Sequence, residues 1–396
     1  LLTLMMGSLL GLAACPAGLA AATRTDSHET YTQTLWSYVN DSKPAYPDWE
    51  QASESMELPG PACCGSECSV FLNQKAAANS DEFPAKSVVV HRHCNADGEA
   101  LAITVRVKNK EGYDARYGDW YWAHFLPDGT ILKTSVDKCP FAKCGFVTIE
   151  REGRLWVFPD VSADLVEFFK SGEPGKCAVL PGAGPGGMTL KGADLDCLLA
   201  YVVARPGFYT KIDDGRLWVC RAGSEEAETI ASGGELGKRV IRPVAGPRGM
   251  TVMGPDNETI EEYLTAKPGF ATRYDDGRLW VFKAGSDELA EFDAGNESPK
   301  IAIRPGAGPR GMTLKSVEPE TIEAYIAAQE GFATFISDGR IWVFRHGSPE
   351  LEEYKASGEP GKCAVRPGAG PQGMTVKSSD TETIEDYLRV ALDGGS

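Results

Sequence analysis

The sequence predicts an α+β protein, with an antiparallel β-rich N-terminal domain followed by tandem β-β-α-β-α repeats. Three observations predict it. Apolar and polar residues alternate in "SVVVHRH" (Ser87 to His93) and "LAITVRVK" (Leu101 to Lys108), the two-residue period of antiparallel strands. From Gly145 onward one unit recurs at constant spacing, without insertion. Gly-Phe opens units at Gly145, Gly207, Gly269 and Gly331, and tryptophan follows at Trp156, Trp218, Trp280 and Trp342. The 396 residues also exceed the roughly 100–200 of one ordinary domain. The predicted organisation is a signal peptide over 1–22, an N-terminal domain over 34–144, and repeats over 145–206, 207–268, 269–330 and 331–390.

The first element reads as an export segment. "LLTLMMGSLLGLAACPAGLAAATRTD" is an uncharged apolar run followed by small residues, too short for a comfortable membrane span. Leu12-Ala13-Ala14-Cys15 fits a bacterial lipoprotein signal, which would acylate Cys15; Ala20-Ala21-Ala22 fits ordinary cleavage. Both readings stand. Either places the protein outside the cytoplasm: periplasmic, attached to the outer membrane as a lipoprotein, or secreted. Membrane contact would then come only through the signal or lipid anchor.

Export sets the expectation for cysteine. Of eleven cysteines, ten remain without Cys15, an even number for which disulfides are the default. The candidates are Cys63, Cys64, Cys68, Cys94, Cys139 and Cys144 in the N-terminal domain, and Cys177, Cys197, Cys220 and Cys363 in the repeats. Zinc held by Cys63, Cys68, Cys139 and Cys144 is the alternative. Cys177 and Cys363 are equivalent positions three periods apart, so a bridge between them requires the first and last units to meet. Pairing of Cys197 with Cys220 is equally open. The formal net charge of −16 repels phosphate backbones and argues against nucleic acid as a partner.

Each repeat has a readable local code. In the third unit, "GFATRY" and "RLWVF" are aromatic, β-branched strands around Asp276-Gly277, a pair suited to a tight hairpin. "GSDELAEF" is a helix capped by Ser286 or Asp287. "KIAIRP" is a third strand stopped by Pro305, and "MTLK" is a short fourth strand or none. In "EPETIEAYIAA", Ile322, Tyr325 and Ile326 share one helical face. "GAGPRG" from Gly306 matches a dinucleotide-binding pattern that also starts at Gly182 and Gly368. A proline interrupts it and a strand, not a helix, follows, so it reads as a structural turn. The repeated tryptophans read as core, with carbohydrate stacking as the competing reading. The turn acids Asp214, Asp276 and Asp338 supply too few oxygens for calcium by themselves.

The N-terminal domain carries a second signal in "LWSYV", "SVFLN", "FPAKSVVV" and, above all, "VKNKEGYDARYGDWYWAHFLPDG". This quarter of the chain resembles the cytochrome P460 family. The resemblance implies a small extracytoplasmic β-rich haem fold that oxidises hydroxylamine-type substrates or binds nitric oxide. It also implies haem attachment by C-x-x-C-H. The chain departs from that pattern: Cys139 and Cys144 are too widely spaced, and Gly145 stands where the iron-binding histidine belongs. His91 matches the position of a family lysine that cross-links haem in some members. If haem were bound, Cys139, Cys144, His91 and His93 would be its ligands or attachment points. Of five histidines (His28, His91, His93, His124 and His346), His91 and His93 alternate on one strand face.

No nucleophile–base pair or paired carboxylates can be assigned. The sequence therefore points to an exported non-enzymatic binding or scaffold protein, without cofactor. A haem-free P460-like domain would precede a multivalent repeat array that contacts a protein or cell-envelope component. The alternative is a haem-dependent redox or nitric-oxide-handling protein with a non-standard haem site.

Overall fold

The computed structural model describes residues 27–52, 67–79, 82–113, 119–135, 141, 143, 145–296, 300–358 and 360–393. The predicted signal segment with Cys15, and Cys63, Cys64, Cys139 and Cys144, lie outside them, as does the side chain of Cys68. The chain is α+β and divides into two compact units, Leu1–Asp137 with Asp160–Val166, and Lys138–Pro159 with Glu167–Ser396. Among the described residues no helix is long and apolar enough to cross a membrane.

The N-terminal unit contains α1 (Ser27–Asp41), β1 (Glu50–Gln51), β2 (Glu67–Leu72), α2 (Gln74–Ala77), β3 (Val88–Cys94), β4 (Ala100–Lys108), β5 (Trp120–Phe125) and β6 (Ile131–Thr134). The strands form one six-stranded antiparallel sheet in sequence order. Its register sets Val90 against Val105 and Val105 against Ala123, so one face is continuously apolar. Leu35 and Val39 of α1, both fully buried, pack on that face with Tyr121 and Phe125. Each such burial contributes about 1.5–3 kcal/mol. Thr32 Oγ1 meets Tyr121 Oη at 2.6 Å and fixes the helix along the sheet. The alternation expected of "SVVVHRH" is present: Val88 and Val90 face α1, and His91 and His93 lie on the opposite face.

The second unit holds the four repeats, apart from Asp160–Val166. The first repeat consists of β7 (Phe146–Arg151), β8 (Arg154–Pro159), α3 (Ala163–Ser171), β9 (Ala178–Leu180), β10 (Thr189–Gly192) and α4 (Leu195–Val203). The second has β11 (Phe208–Asp213), β12 (Arg216–Arg221), α5 (Glu225–Ala231), β13 (Val240–Arg242), β14 (Thr251–Gly254) and α6 (Asn257–Thr265). The third has β15 (Phe270–Asp275), β16 (Arg278–Lys283), α7 (Asp287–Asp293), β17 (Ala302–Arg304), β18 (Thr313–Ser316) and α8 (Pro319–Ala327). The fourth has β19 (Phe332–Ser337), β20 (Arg340–Arg345), α9 (Pro349–Ser357), β21 (Ala364–Arg366), β22 (Thr375–Ser378) and α10 (Thr381–Asp393). The short "MTLK" strand is thus real in every unit. It pairs in parallel with the tryptophan strand and antiparallel with the third strand, for example β18 with β16 and β17.

Local chemistry explains these elements. Asp276 and Gly277 both adopt positive φ, 46° and 73°, as the hairpin between β15 and β16 requires. Ser286 caps α7 by accepting from the Leu289 amide. Ile322, Tyr325 and Ile326 are buried together. The "GAGPRG" turn closes on itself, with the Gly308 amide donating to Met312 O at 2.9 Å and the Gly311 amide to Gly308 O at 3.1 Å. Its Arg310 then pairs with Glu261 of α6, in the preceding unit. The glycine-rich segment is a connector between units.

The units close on themselves. The second helix of each unit sends a tyrosine hydroxyl to a carbonyl about one period earlier. Tyr263 reaches Val203 O at 2.8 Å, Tyr325 reaches Thr265 O at 2.7 Å and Tyr387 reaches Ala327 O at 2.8 Å, each acceptor being the last residue of the preceding unit's second helix. Phe141 supplies the equivalent carbonyl for Tyr201 at 2.8 Å. Between the last and first units, the Gly186 amide donates to Glu330 O at 3.1 Å, and α10 packs on the Pro185–Gly187 turn. The repeats therefore form a closed ring.

Closure does not bring the predicted disulfides of the repeats together. Cys177 and Cys363 are exposed free thiols, although the first and last units touch. Both precede edge strands (β9 and β21), and the contact is made by other segments. Cys220 is a free buried thiol in a different cluster from Cys197; burial pushes its pKa up to about 11. Cys197 also keeps its thiol, directed at Val157 O at 3.7 Å. In the N-terminal unit Cys94 is disulfide-bonded.

Candidate functional site

Two places gather the residues that could do chemistry. The first is the polar face of the N-terminal sheet. His91 and His93 are each 1% exposed, and their rings are near-parallel with centroids 6.4 Å apart. The structure adds His124 from β5, whose ring lies 5.6 Å from His93. Thr104 Oγ1 lies 2.9 Å from His93 Nε2 and 2.6 Å from His124 Nδ1, while His124 Nε2 lies 3.0 Å from Asp160 O.

These contacts determine the protons. Burial draws the His124 pKa down to about 4, against the opposing pull of the Asp160 carbonyl, so the ring is neutral at pH 7. A carbonyl can only accept, hence His124 Nε2 carries its hydrogen and Nδ1 accepts from the Thr104 hydroxyl. With its single proton spent, Thr104 accepts from His93 Nε2. The chain of bonds leaves no ring nitrogen of His124 for a metal. His91 and His93 are closely packed by their own neighbours, and Cys139 and Cys144, the other residues named for a haem, lie outside the described residues. Among the described residues no group of three or more His, Cys, Asp or Glu could hold a metal ion. The sequence did not place Thr104, His124 and Asp160 at this site: strand pairing brings Thr104 and His124 to His93, and Asp160 reaches His124 from the segment after β8.

The repeated tryptophans are buried, at 4–9% exposure. Trp156, Trp280 and Trp342 each stack on a phenylalanine two residues on, in the same strand. Lysine ammonium groups cover these rings, Lys191 at 4.2 Å, Lys315 at 4.7 Å and Lys377 at 4.0 Å from the centroids. At these three positions the ring is core packing finished by a cation–π contact; Trp218 has Met253 in place of the lysine and lines a separate cavity of about 320 Å³.

The second place is a cavity of about 460 Å³ where the four units converge. Lys143, Arg205, Lys267 and Gln329 line it, and they occupy equivalent positions, each two residues before a recurring Gly-Phe. Glu330 stands beside Gln329, and Lys143 Nζ lies 2.9 Å from it, with Arg205 at 3.8 Å. Burial pushes the Glu330 carboxyl up, but the Lys143 and Arg205 charges and the Lys143 hydrogen bond outweigh it and hold it below the usual range. Lys143 is drawn down by burial in spite of Glu330. Burial alone draws Lys267 down to about 8.

The signal for this site was in the sequence. Lys143-Cys144, Arg205-Pro206, Lys267-Pro268 and Gln329-Glu330 each precede the recurring Gly-Phe. What the sequence lacked was the closure that turns four serial positions into one lining. No family model, curated protein or solved structure matches this chain.

Proposed function

We propose that this is an exported, non-enzymatic binding or scaffold protein. Its P460-like N-terminal domain is haem-free, and its repeat unit presents one surface four times to a protein or cell-envelope component. One observation carries the multivalent reading. Val179, Ile241, Ile303 and Val365 occupy the same place in successive units, at the centre of the edge strands β9, β13, β17 and β21, and they are 44–53% exposed. An edge strand offers unpaired backbone groups to an added strand, and an outward aliphatic side chain gives that addition an apolar anchor. Four linked sites raise avidity above any single affinity by about 10²–10⁴.

Graded replacement tests this. Lysine at one, two and four of these positions should weaken retention of the protein on envelope fractions progressively, with about 100-fold loss by the second substitution. Equal retention of the wild type and the fourfold variant would remove the edge strands from the function. The haem-free reading is supported by the closed packing around His91, His93 and His124. Protein exported from a haem-maturing host should show no Soret band, before or after added haemin. A band that survives acid–acetone extraction would restore the haem-dependent reading.

A further inference from the structure

The closed ring provides an internal comparison between equivalent cations. Lys143 Nζ donates to Tyr201 O at 3.0 Å and lies 4.4 Å from the centre of that tyrosine ring. Lys267 Nζ donates to Tyr325 O, also at 3.0 Å, and lies 4.9 Å from its ring. Both lysines thus rest on the C-terminal turn of a helix, α4 and α8 respectively, where the carbonyl dipoles favour a cation. The two then differ. Lys143 adds a carboxylate, Glu330, which reaches Arg205 as well. Lys267 adds only a second carbonyl, Ile326 O at 3.3 Å, and makes no ion pair among the described residues. An ammonium has three donors, so one remains for the cavity.

No side chain at the equivalent places can supply the missing partner. The positions equivalent to Glu330 are Cys144, Pro206 and Pro268, none of them acidic. Three cations, Lys143, Arg205 and Lys267, therefore face one carboxylate in the cavity lining, in a chain whose net charge is −16. The fourth lining cation, Arg389, is taken by Asp386. The remaining walls include Pro206, Pro268, Pro309, Ala204 and Ala266, which suit a hydrocarbon body. The volume of about 460 Å³ falls within the roughly 300–1,000 Å³ of small-molecule pockets.

We propose that this cavity binds a small organic carboxylate, seated on Lys267 in the lining it shares with Arg205, as Glu330 is seated on Lys143. The site is independent of the edge strands. Leaving Lys267 without a counter-ion lowers stability in the empty protein, and the ligand removes that cost. With the Lys267 pKa near 8, the charged form that the ligand needs is present at pH 7 and is lost by pH 9.

The test is isothermal titration of the full chain with sodium acetate, succinate and benzoate at fixed ionic strength, with methyl benzoate and chloride as controls. At least one carboxylate should bind saturably, and up to about tenfold more weakly at pH 9 than at pH 7. Lys267→Gln should lose at least tenfold in affinity with its melting temperature unchanged or raised, and Lys267→Arg should retain binding. If the lysine serves only to cap α8, Lys267→Gln melts lower and wild type binds no carboxylate. Arg205→Gln should show the same loss of affinity, and it keeps the test decisive if Lys267→Gln does not fold. Absence of saturable binding by every carboxylate, equal binding of the ester or chloride, or undiminished binding in both variants would overturn the proposal.

Discussion

Gly331→Ala should destabilise the repeat unit by about 3–5 kcal/mol, while Gly269→Ala, at the equivalent place one unit earlier, should cost about 1–2 kcal/mol. Both glycines have positive φ, 96° and 81°, so both substitutions carry the left-handed penalty of an L residue. Only at Gly331 does a second cost arise. A Cβ there would lie 2.2 Å from the Gly186 amide nitrogen and 2.7 Å from the Pro185 carbonyl carbon, whereas at Gly269 nothing lies within 4 Å. The obstruction is backbone against backbone, so no side-chain rotamer relieves it. It lies at the seam where the fourth unit meets the first. Urea denaturation followed by tryptophan fluorescence measures the difference; equal shifts for both variants would show that the seam does not contribute to stability.

Glu330→Gln should cost about 2–3 kcal/mol, because it leaves Lys143 in the cavity wall without its counter-charge. The figure is set below the roughly 3–5 kcal/mol of a fully buried pair because the Glu330 side chain is 34% exposed. The double variant Lys143→Met/Glu330→Gln should recover part of that loss, since it removes the stranded charge as well. The pH dependence has a defined sign. The Glu330 carboxyl is held below its unfolded value. Its contribution is therefore complete above an unfolded pKa of about 4.3 and disappears as pH falls through the lower folded value. Wild type and Glu330→Gln should differ most near pH 7 and converge on acidification. A constant difference from pH 7 to pH 3 would mean that the ion pair is not the source of the stability.

Much of the fold was legible because its causes are local. The constant repeat period, the Asp-Gly hairpins, the Ser286 cap and the Ile322–Tyr325–Ile326 face can each be read from the order of residues alone, and each is present. The fourth strand of each unit was harder to read. A segment as short as "TLKS" has too few residues for a period, and it becomes a strand by pairing in parallel with the tryptophan strand, on the far side of a helix and another strand. The disulfide expectation failed in the repeats for a related reason. Parity and compartment say that thiols can pair, but only packing says which ones meet, and Cys197 and Cys220 are built into separate cores.

The candidate sites divide along the same line. His91 and His93 were placed on one face by strand alternation alone, since that period is a property of the extended backbone. The hydrogen-bonded surroundings of His93 were not legible, because Thr104 and His124 reach it from other strands and Asp160 holds His124 from a loop. Likewise, the recurring Lys143, Arg205 and Lys267 belong to the repeat and are written in the sequence. By itself the sequence determined that four like units follow a β-rich domain, because duplication and short-range periodicity survive without a third dimension. Only the tertiary structure decided that the units close into a ring. Closure depends on backbone meeting backbone at Gly186 and Gly331, in the first and last units, and it gathers four distant positions around one cavity.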